Sequence, residues 1–211
     1  MFRDRREAGR LLAEALVAFK DTDTVVLALP RGGVPVAEEV ATRLALPLDV
    51  IICRKLGVPG HEEYAFGAIS EGGVRYIDEN IVRSLGLSQN QVAQVQTEEA
   101  TALKTRIELF RRRTPRRSLV GKTALIIDDG LATGATARAA SKAARQLGAG
   151  RVVVAVPVGP LGSENSIPEA NEVICLSQPA TFSAVGRHYE SFDQVSDSEV
   201  LKILERRNEP I

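Results

Sequence analysis

The chain has 211 residues, 44% of them hydrophobic, with 27 Lys+Arg balanced by 27 Asp+Glu. That length and apolar content suffice for one good core, and a single domain over residues 1–211 is expected. A formal charge of zero excludes a general nucleic-acid or membrane-surface binder while leaving room for a local patch.

Residues Met1 to Glu7 carry charges with no apolar stretch after them, and no apolar run approaches a membrane span, so a soluble cytoplasmic protein is expected. Cys53 and Cys175 lie in apolar runs and read as reduced, buried thiols. Ala8, Leu11, Leu12, Ala15, Leu16 and Phe19 step by three and four, predicting a first helix whose arginines and Glu14 face water.

Val25 to Leu29 reads as a buried strand that runs into Pro30-Arg31-Gly32-Gly33, a turn that exposes backbone amides beside a guanidinium. Val36, Ala37, Val40 and Leu44 then give a helix face, and Asp49 to Cys53 a second buried strand closed by Arg54 and Lys55. From Leu56 to Gly67 the glycines, Pro59 and charges read as a mobile loop. Its His61, Glu62 and Glu63 are general-base candidates by type only, since no partner for any of them is identifiable.

Ala68 to Ser70 and Val74 to Ile77, joined by Glu71-Gly72-Gly73, predict a β-hairpin. Ser88 and Gln91 have capping-box spacing, and Val92, Val95, Ala102, Leu103, Ile107 and Phe110 carry one long helix. The run Arg111-Arg-Arg-Thr-Pro-Arg-Arg117 has two readings. Arginines in a last helical turn oppose the helix dipole, with Pro115 ending the helix in a solvated loop; the other reading, a patch for RNA, lacks interleaved aromatic rings.

The most informative stretch is Ala124-Leu-Ile-Ile-Asp128-Asp129-Gly130-Leu-Ala132-Thr133-Gly134-Ala135-Thr136. A short apolar strand is stopped by two adjacent carboxylates, which are costly side by side unless cations or hydroxyls meet them. The two glycines and small side chains that follow expose amides, Thr133 and Thr136 add hydroxyls, and alanines at helical spacing put the loop at a helix N-terminus, where a phosphate is favoured. Neither a Walker A lysine nor a dinucleotide Gly-x-Gly-x-x-Gly is present. An ordinary helix cap would account for one carboxylate and leave the other and both threonines unexplained.

Arg151 to Val156 and Val173 to Leu176 predict two further strands, with a loop at 158–165 on the face where α/β sheets bind ligands. The tail concentrates aromatics, and Phe182, Tyr189 and Phe192 are candidates either to stack on a flat heterocycle or to pack the tail onto the sheet. Ser196 and Glu199 cap a closing helix.

The strand, Asp128-Asp129 and the Gly-Leu-Ala-Thr-Gly-Ala-Thr loop together resemble the phosphoribosyl-pyrophosphate (PRPP) loop of the type I phosphoribosyltransferases, and the layout resembles bacterial stand-alone members whose acceptor is unassigned. The resemblance implies an α/β core with a central, mainly parallel sheet flanked by helices, a flexible loop and hairpin at about 54–77, and a small hood at about 177–211. It implies Asp128, Asp129 and Arg31 as catalytic residues. It implies PRPP contacts from Arg31, Gly32, Gly33, Arg54, Lys55, Asp128, Asp129, Gly130, Ala132, Thr133, Gly134, Ala135 and Thr136. Mg²⁺ would meet Asp128 and Asp129 through water, and Arg31-Gly32-Gly33 would occupy a pyrophosphate loop that often holds a cis peptide. The implied partners are PRPP and a nitrogen-containing small molecule, with no membrane or nucleic acid and with a homodimer left open. A regulator that senses PRPP without turnover fits the same motifs. Hypoxanthine-guanine enzymes place an Asp where this chain has Ala132, which weakens a 6-oxopurine acceptor without establishing adenine.

Overall fold

The computed structural model describes residues 1–112 and 114–208, without the side chains of Glu63 and Asn208. In chain order the elements are α1 (Arg5–Ala15), β1 (Thr24–Ala28), α2 (Gly33–Arg43), β2 (Leu48–Val50), β3 (Cys53–Val58), β4 (His61–Ser70) and β5 (Val74–Ile77). There follow α3 (Glu79–Ser84), α4 (Gln89–Arg111), β6 (Thr123–Ile127), α5 (Ala135–Gln146), β7 (Arg151–Val158), β8 (Glu172–Ser177) and α6 (Asp197–Asn208). A five-stranded sheet has the order β2-β1-β6-β7-β8, and β3-β4-β5 form a separate three-stranded sheet. All pairings in the larger sheet are parallel. The central parallel sheet expected from the apolar runs is therefore present.

Continuous apolar strands arise because both faces of this sheet are covered. Val26, Ala28, Leu125, Ile127, Val153 and Ala155 point into a core shared with α1, α2 and α6, while Val25, Leu27, Ala124, Ile126, Val152 and Val154 meet Ala137, Ala140, Ala143 and Ala144 of α5. The small alanine face lets α5 lie close on the sheet. The edge strand β8 is only half-buried, so the last predicted strand is a rim element of the sheet.

Four expectations need correction. The run Asp49 to Cys53 is not one strand: β2 ends at Val50, and Cys53 begins β3 in the other sheet. Ile51 and Ile52 are buried at the junction, so apolarity continues while the strand does not. The segment Leu56 to Gly67 is not a loop; β3 and β4 pair antiparallel through it, with register shifts around Gly57. Gly60, at φ +79°, makes the turn, and the strand character of β3 is masked in sequence by the turn-forming residues Gly57, Pro59 and Gly60.

On α1, Gly9 and Ala13 are buried and Leu11 is 42% exposed, so the inward face is rotated from the predicted one. Gly9 is needed because a side chain there would meet the Val36 carbonyl at 2.6 Å.

The arginine run is an ion-pair junction. Arg111 Nη1 lies 2.6 Å from Asp49 Oδ1, its Nη2 donates to Glu71 Oε1 at 2.9 Å and to the Val50 carbonyl at 2.6 Å, and Arg116 donates to Glu71 Oε2 at 2.6 Å. The Arg117 amide donates to Asp49 Oδ2 at 2.9 Å. These contacts fasten the two sheets where the chain crosses from β2 to β3. Arg113 lies outside the described residues. The expected capping box of Ser88 and Gln91 opens α4, and the 68–77 hairpin is formed by β4 and β5.

Candidate functional site

Strands β1 and β6 are neighbours, with Ala28 opposite Ile127, so the segments that follow them emerge side by side. Leu29 N donates to the Ile127 carbonyl at 2.9 Å and Gly33 N to the Leu29 carbonyl at 3.0 Å, which folds Pro30 to Gly33 tightly against Asp128 and Asp129. The Pro30–Arg31 peptide is cis. A side chain on Gly32 would overlap the Asp129 carboxylate, and one on Gly33 would meet the Ile127 carbonyl at 2.6 Å. The paired glycines are thus required by close approach as well as by amide exposure.

The loop from Gly130 is pinned by Leu131 N donating to the Val158 carbonyl at 2.8 Å. Gly134, at φ +78°, turns the chain into α5. Among the described residues no backbone carbonyl accepts the N–H groups of Thr133, Gly134, Ala135 or Thr136. Such amides at a helix start form an anion-binding concavity. Ala132 and Thr133 are exposed and Thr136 is half-buried, as a ligand loop requires.

The two carboxylates are not equivalent. Asp128 is half-buried and its Oδ1 accepts the Asp129 N–H at 2.9 Å; loss of solvent around it, then the neighbouring Asp129, hold its carboxyl well above the usual carboxylate range, with Lys55 opposing. Asp129 Oδ2 instead receives Arg5 Nε at 2.8 Å, and its backbone carbonyl accepts the Tyr189 hydroxyl at 2.5 Å.

Two recesses of about 880 and 740 Å³ open over this floor and share Arg31, Gly32, Lys55, Asp128, Asp129 and Thr136. The larger is walled by Arg54, the β3–β4 turn and the polar face of α4; the smaller by the loop 130–134, the first turn of α5, Val185, Gly186 and Phe192. The sequence-predicted set Arg31, Gly32, Lys55, Asp128, Asp129, Gly130, Ala132, Thr133, Gly134, Ala135 and Thr136 therefore converges on one cleft, with Arg54 on its larger side. Gly33 supports it from beneath. Arg54 is engaged by Glu99 at 2.6 Å and Arg31 lies 3.9 Å from Asp197, whereas Lys55 is exposed and its side chain makes no hydrogen bond or ion pair among the described residues.

The aromatic candidates separate. Tyr189 is 5% exposed, packed between Phe2 and Phe192 at centroid distances of 5.4 and 5.0 Å, so it is withdrawn from the base-stacking candidates. Phe182 stacks on His188 at 5.3 Å and 7°, outside the lining of either recess. Phe192 reaches the smaller recess, with the Arg5 guanidinium 3.8 Å from its ring centre. His61 is exposed, Glu62 lines the larger recess, and the Glu63 side chain lies outside the described residues. Arg5 and Val185, which no motif marks, were missed from sequence; Val185 stands where a side chain on Gly130 would go, 2.5 Å away.

Magnesium fits this donor set only with help from a ligand. Among the described residues no group of three or more His, Cys, Asp or Glu could hold a metal, so the protein offers the Asp128–Asp129 pair and a bound phosphate would supply further oxygens. A cation or hydroxyls would offset the cost of the crowded Asp128 carboxylate.

A parallel sheet with an acidic pair, an amide-rich helix start and a glycine turn gathered at its C-terminal edge defines the class: an α/β protein with its ligand cleft at the strand ends. The family model described as phosphoribosyl transferase domain matches residues 4–185, and the chain belongs to that family. Two Mycobacterium tuberculosis proteins named "Putative phosphoribosyl transferase" are 49% identical over 210 residues, covering 98% of this chain and 47% of each of theirs. The chain thus spans about half the length of these curated relatives. The crystal structure of TT1426 from Thermus thermophilus is 43% identical, with a TM-score of 0.80 over 97% of this chain and 98% of that one. A hypothetical protein from Neisseria gonorrhoeae, solved with bound ppGpp, shares the fold at 15% identity and a TM-score of 0.51, covering 98% of both chains. Among the described residues no helix is long and apolar enough to cross a membrane.

Proposed function

We propose that the chain transfers the 5-phosphoribosyl group of Mg²⁺-PRPP to a ring or amine nitrogen of a small acceptor, of the nucleobase class, with release of pyrophosphate. The observation that carries this reading is the packing of Gly32 and Gly33 directly against Asp128 and Asp129, which puts an amide-rich turn, an acidic pair and the α5 N-terminus on one cleft.

In this reading the amides and hydroxyls of Thr133 to Thr136 bind the 5-phosphate, each charge-assisted hydrogen bond contributing about 1.5–3 kcal/mol non-additively. Asp128 and Asp129 accept the ribose hydroxyls. Arg31, Lys55 and the Gly32 amide face the diphosphate, and Arg54 joins them once it parts from Glu99. As the C1–O bond breaks, positive charge gathers on the ribose and negative charge on the leaving diphosphate, so carboxylates beneath the sugar and cations beside the diphosphate stabilise both ends. Bound Mg²⁺ would neutralise diphosphate oxygens, with Asp128 and Asp129 holding it through water. The smaller recess, with Val185, Gly186 and Phe192, is the acceptor side.

The test is pyrophosphate release from Mg²⁺-PRPP across purine, pyrimidine and amine acceptors, with Asp129→Asn as control. Acceptor-dependent release that the variant loses supports the transferase. Absence of release, with Mg²⁺-dependent PRPP binding by calorimetry, favours a PRPP sensor with the same fold. The RNA-binding form of that alternative loses support from Arg111 and Arg116, which are engaged by Asp49 and Glu71.

A further inference from the structure

Arg5, in the first turn of α1, sits where the N-terminus, the acidic pair and the tail meet. Its Nε donates to Asp129 Oδ2 at 2.8 Å, its Nη1 to the Asp193 carbonyl at 2.7 Å, and its guanidinium lies 3.8 Å from the centre of the Phe192 ring. The ion pair is sheltered, with side chains 12% and 14% exposed. A side chain on Gly32 would reach 3.3 Å from Arg5 Nε, so Arg5 also borders the Pro30 to Gly33 turn. The backbone on either side is laced in the same way. Phe2 N donates to the His188 carbonyl at 2.8 Å, Glu190 N to the Phe2 carbonyl at 2.8 Å and Ser191 N to the Arg3 carbonyl at 2.9 Å.

We infer that Arg5 is a positioning residue of the phosphoribosyl-transfer site, an inference that rests on the function proposed above. By holding Asp129 Oδ2 it fixes the rotamer of the carboxylate that meets the ribose. Through the Asp193 carbonyl and the Phe192 ring the same guanidinium fixes the tail that walls the smaller recess. One residue therefore sets the spacing between the sugar floor and the acceptor wall. Lysine cannot replace it, because a single ammonium lacks the planar fork that spans Asp129, Asp193 and the ring together.

The test compares Arg5→Ala and Arg5→Lys with Arg6→Gln, whose residue neighbours Arg5 on α1 but pairs with Glu38 and Glu39 away from the cleft. Loss of a charged hydrogen bond predicts a fall of about tenfold to a hundredfold in kcat/KM for PRPP in Arg5→Ala, carried mainly by KM. Arg5→Lys regains only part, and millimolar guanidinium raises Arg5→Ala activity about threefold or more without affecting the wild type. Arg6→Gln lowers the melting temperature and leaves KM unchanged. Unchanged KM in Arg5→Ala overturns the inference, as does loss in all three variants in proportion to melting temperature with no guanidinium rescue. If Arg5→Ala does not fold, an Arg5→Lys enzyme with wild-type KM overturns it equally. A wild type inert toward Mg²⁺-PRPP in both turnover and calorimetry overturns the transfer reading and this role with it; an active wild type with unaffected Arg5 variants overturns this role alone.

Discussion

The hydroxyl of Tyr189 donates to the backbone carbonyl of Asp129 across 2.5 Å, joining the tail to the acidic pair. Burial, followed by the nearby Asp129 charge, holds the phenol above its ordinary pKa, so it remains a donor throughout the working pH range. Tyr189→Phe keeps the ring between Phe2 and Phe192 and removes only the donor. The expected cost is about 1 kcal/mol, or about 2–4 °C in melting temperature for a chain of this size, with weaker PRPP binding. Differential scanning calorimetry and PRPP titration check both; a variant that melts and binds with the wild type would mean that the carbonyl is satisfied without Tyr189.

Gly32 has ordinary helical dihedrals, with φ −60°, so its role is space and not conformational freedom. An added methyl would collide with the Asp129 carboxylate, which would have to leave Arg5. Gly32→Ala is expected to cost about 1–3 kcal/mol of stability as overpacking and to weaken PRPP binding by about tenfold or more. Gly86→Ala is the contrast: Gly86 lies outside both recesses and its methyl meets nothing within 4 Å, but φ is +63°, so stability falls while the acidic pair and PRPP affinity stay intact. Titration calorimetry on both variants separates the two cases. Equal PRPP affinity in Gly32→Ala would show that the turn yields without disturbing Asp129.

The parts of this molecule that announce themselves in sequence are those whose chemistry is local. Val25 to Leu29 and Ala124 to Ile127 are uninterrupted apolar runs because each strand is covered on both faces, and Asp128-Asp129 with the following loop is contiguous. The cut between β2 and β3 was hidden because Ile51 and Ile52 stay buried while the chain changes sheets. The β3–β4 ribbon was hidden by Gly57, Pro59 and Gly60, whose turn chemistry reads as a loop. Arg5 could not be found by spacing: its partner is 124 positions away, and an arginine beside Arg6 in a first helical turn looks like any solvated charge. The choice between the two readings of Tyr189 was hidden for the same reason, since its ring is covered by Phe2 from the opposite end of the chain.

Arg111 supports the junction between the sheets. Asp49 and Glu71 are 3% and 1% exposed in their side chains, and Arg111 reaches both. Arg111→Ala would leave two buried carboxylates short of a counter-charge, a loss of about 3–5 kcal/mol. Arg116→Ala should cost much less, because its own side chain is 38% exposed and Arg111 still meets Glu71. Urea denaturation distinguishes them, and comparable midpoints for the two variants would sink the junction as a source of stability.

Cys53 lies buried beneath the cleft, and its thiol contacts Ser70 Oγ at 3.2 Å. Burial is the main cause that pushes its pKa up to about 12. In the unfolded chain the thiol ionises near 8.5. Between those values the unfolded state releases a proton that the native state keeps, so stability present at lower pH is lost as pH rises, with a slope approaching about 1.4 kcal/mol per unit. From pH 8 to pH 10 this amounts to about 2 kcal/mol. Cys53→Ala removes the linkage, so its stability, lower at pH 8 because of the lost packing, should decline less steeply than that of the wild type when urea midpoints are compared at the two pH values. Parallel declines would mean that the folded thiol ionises with the unfolded one and that water reaches Cys53 through the cleft.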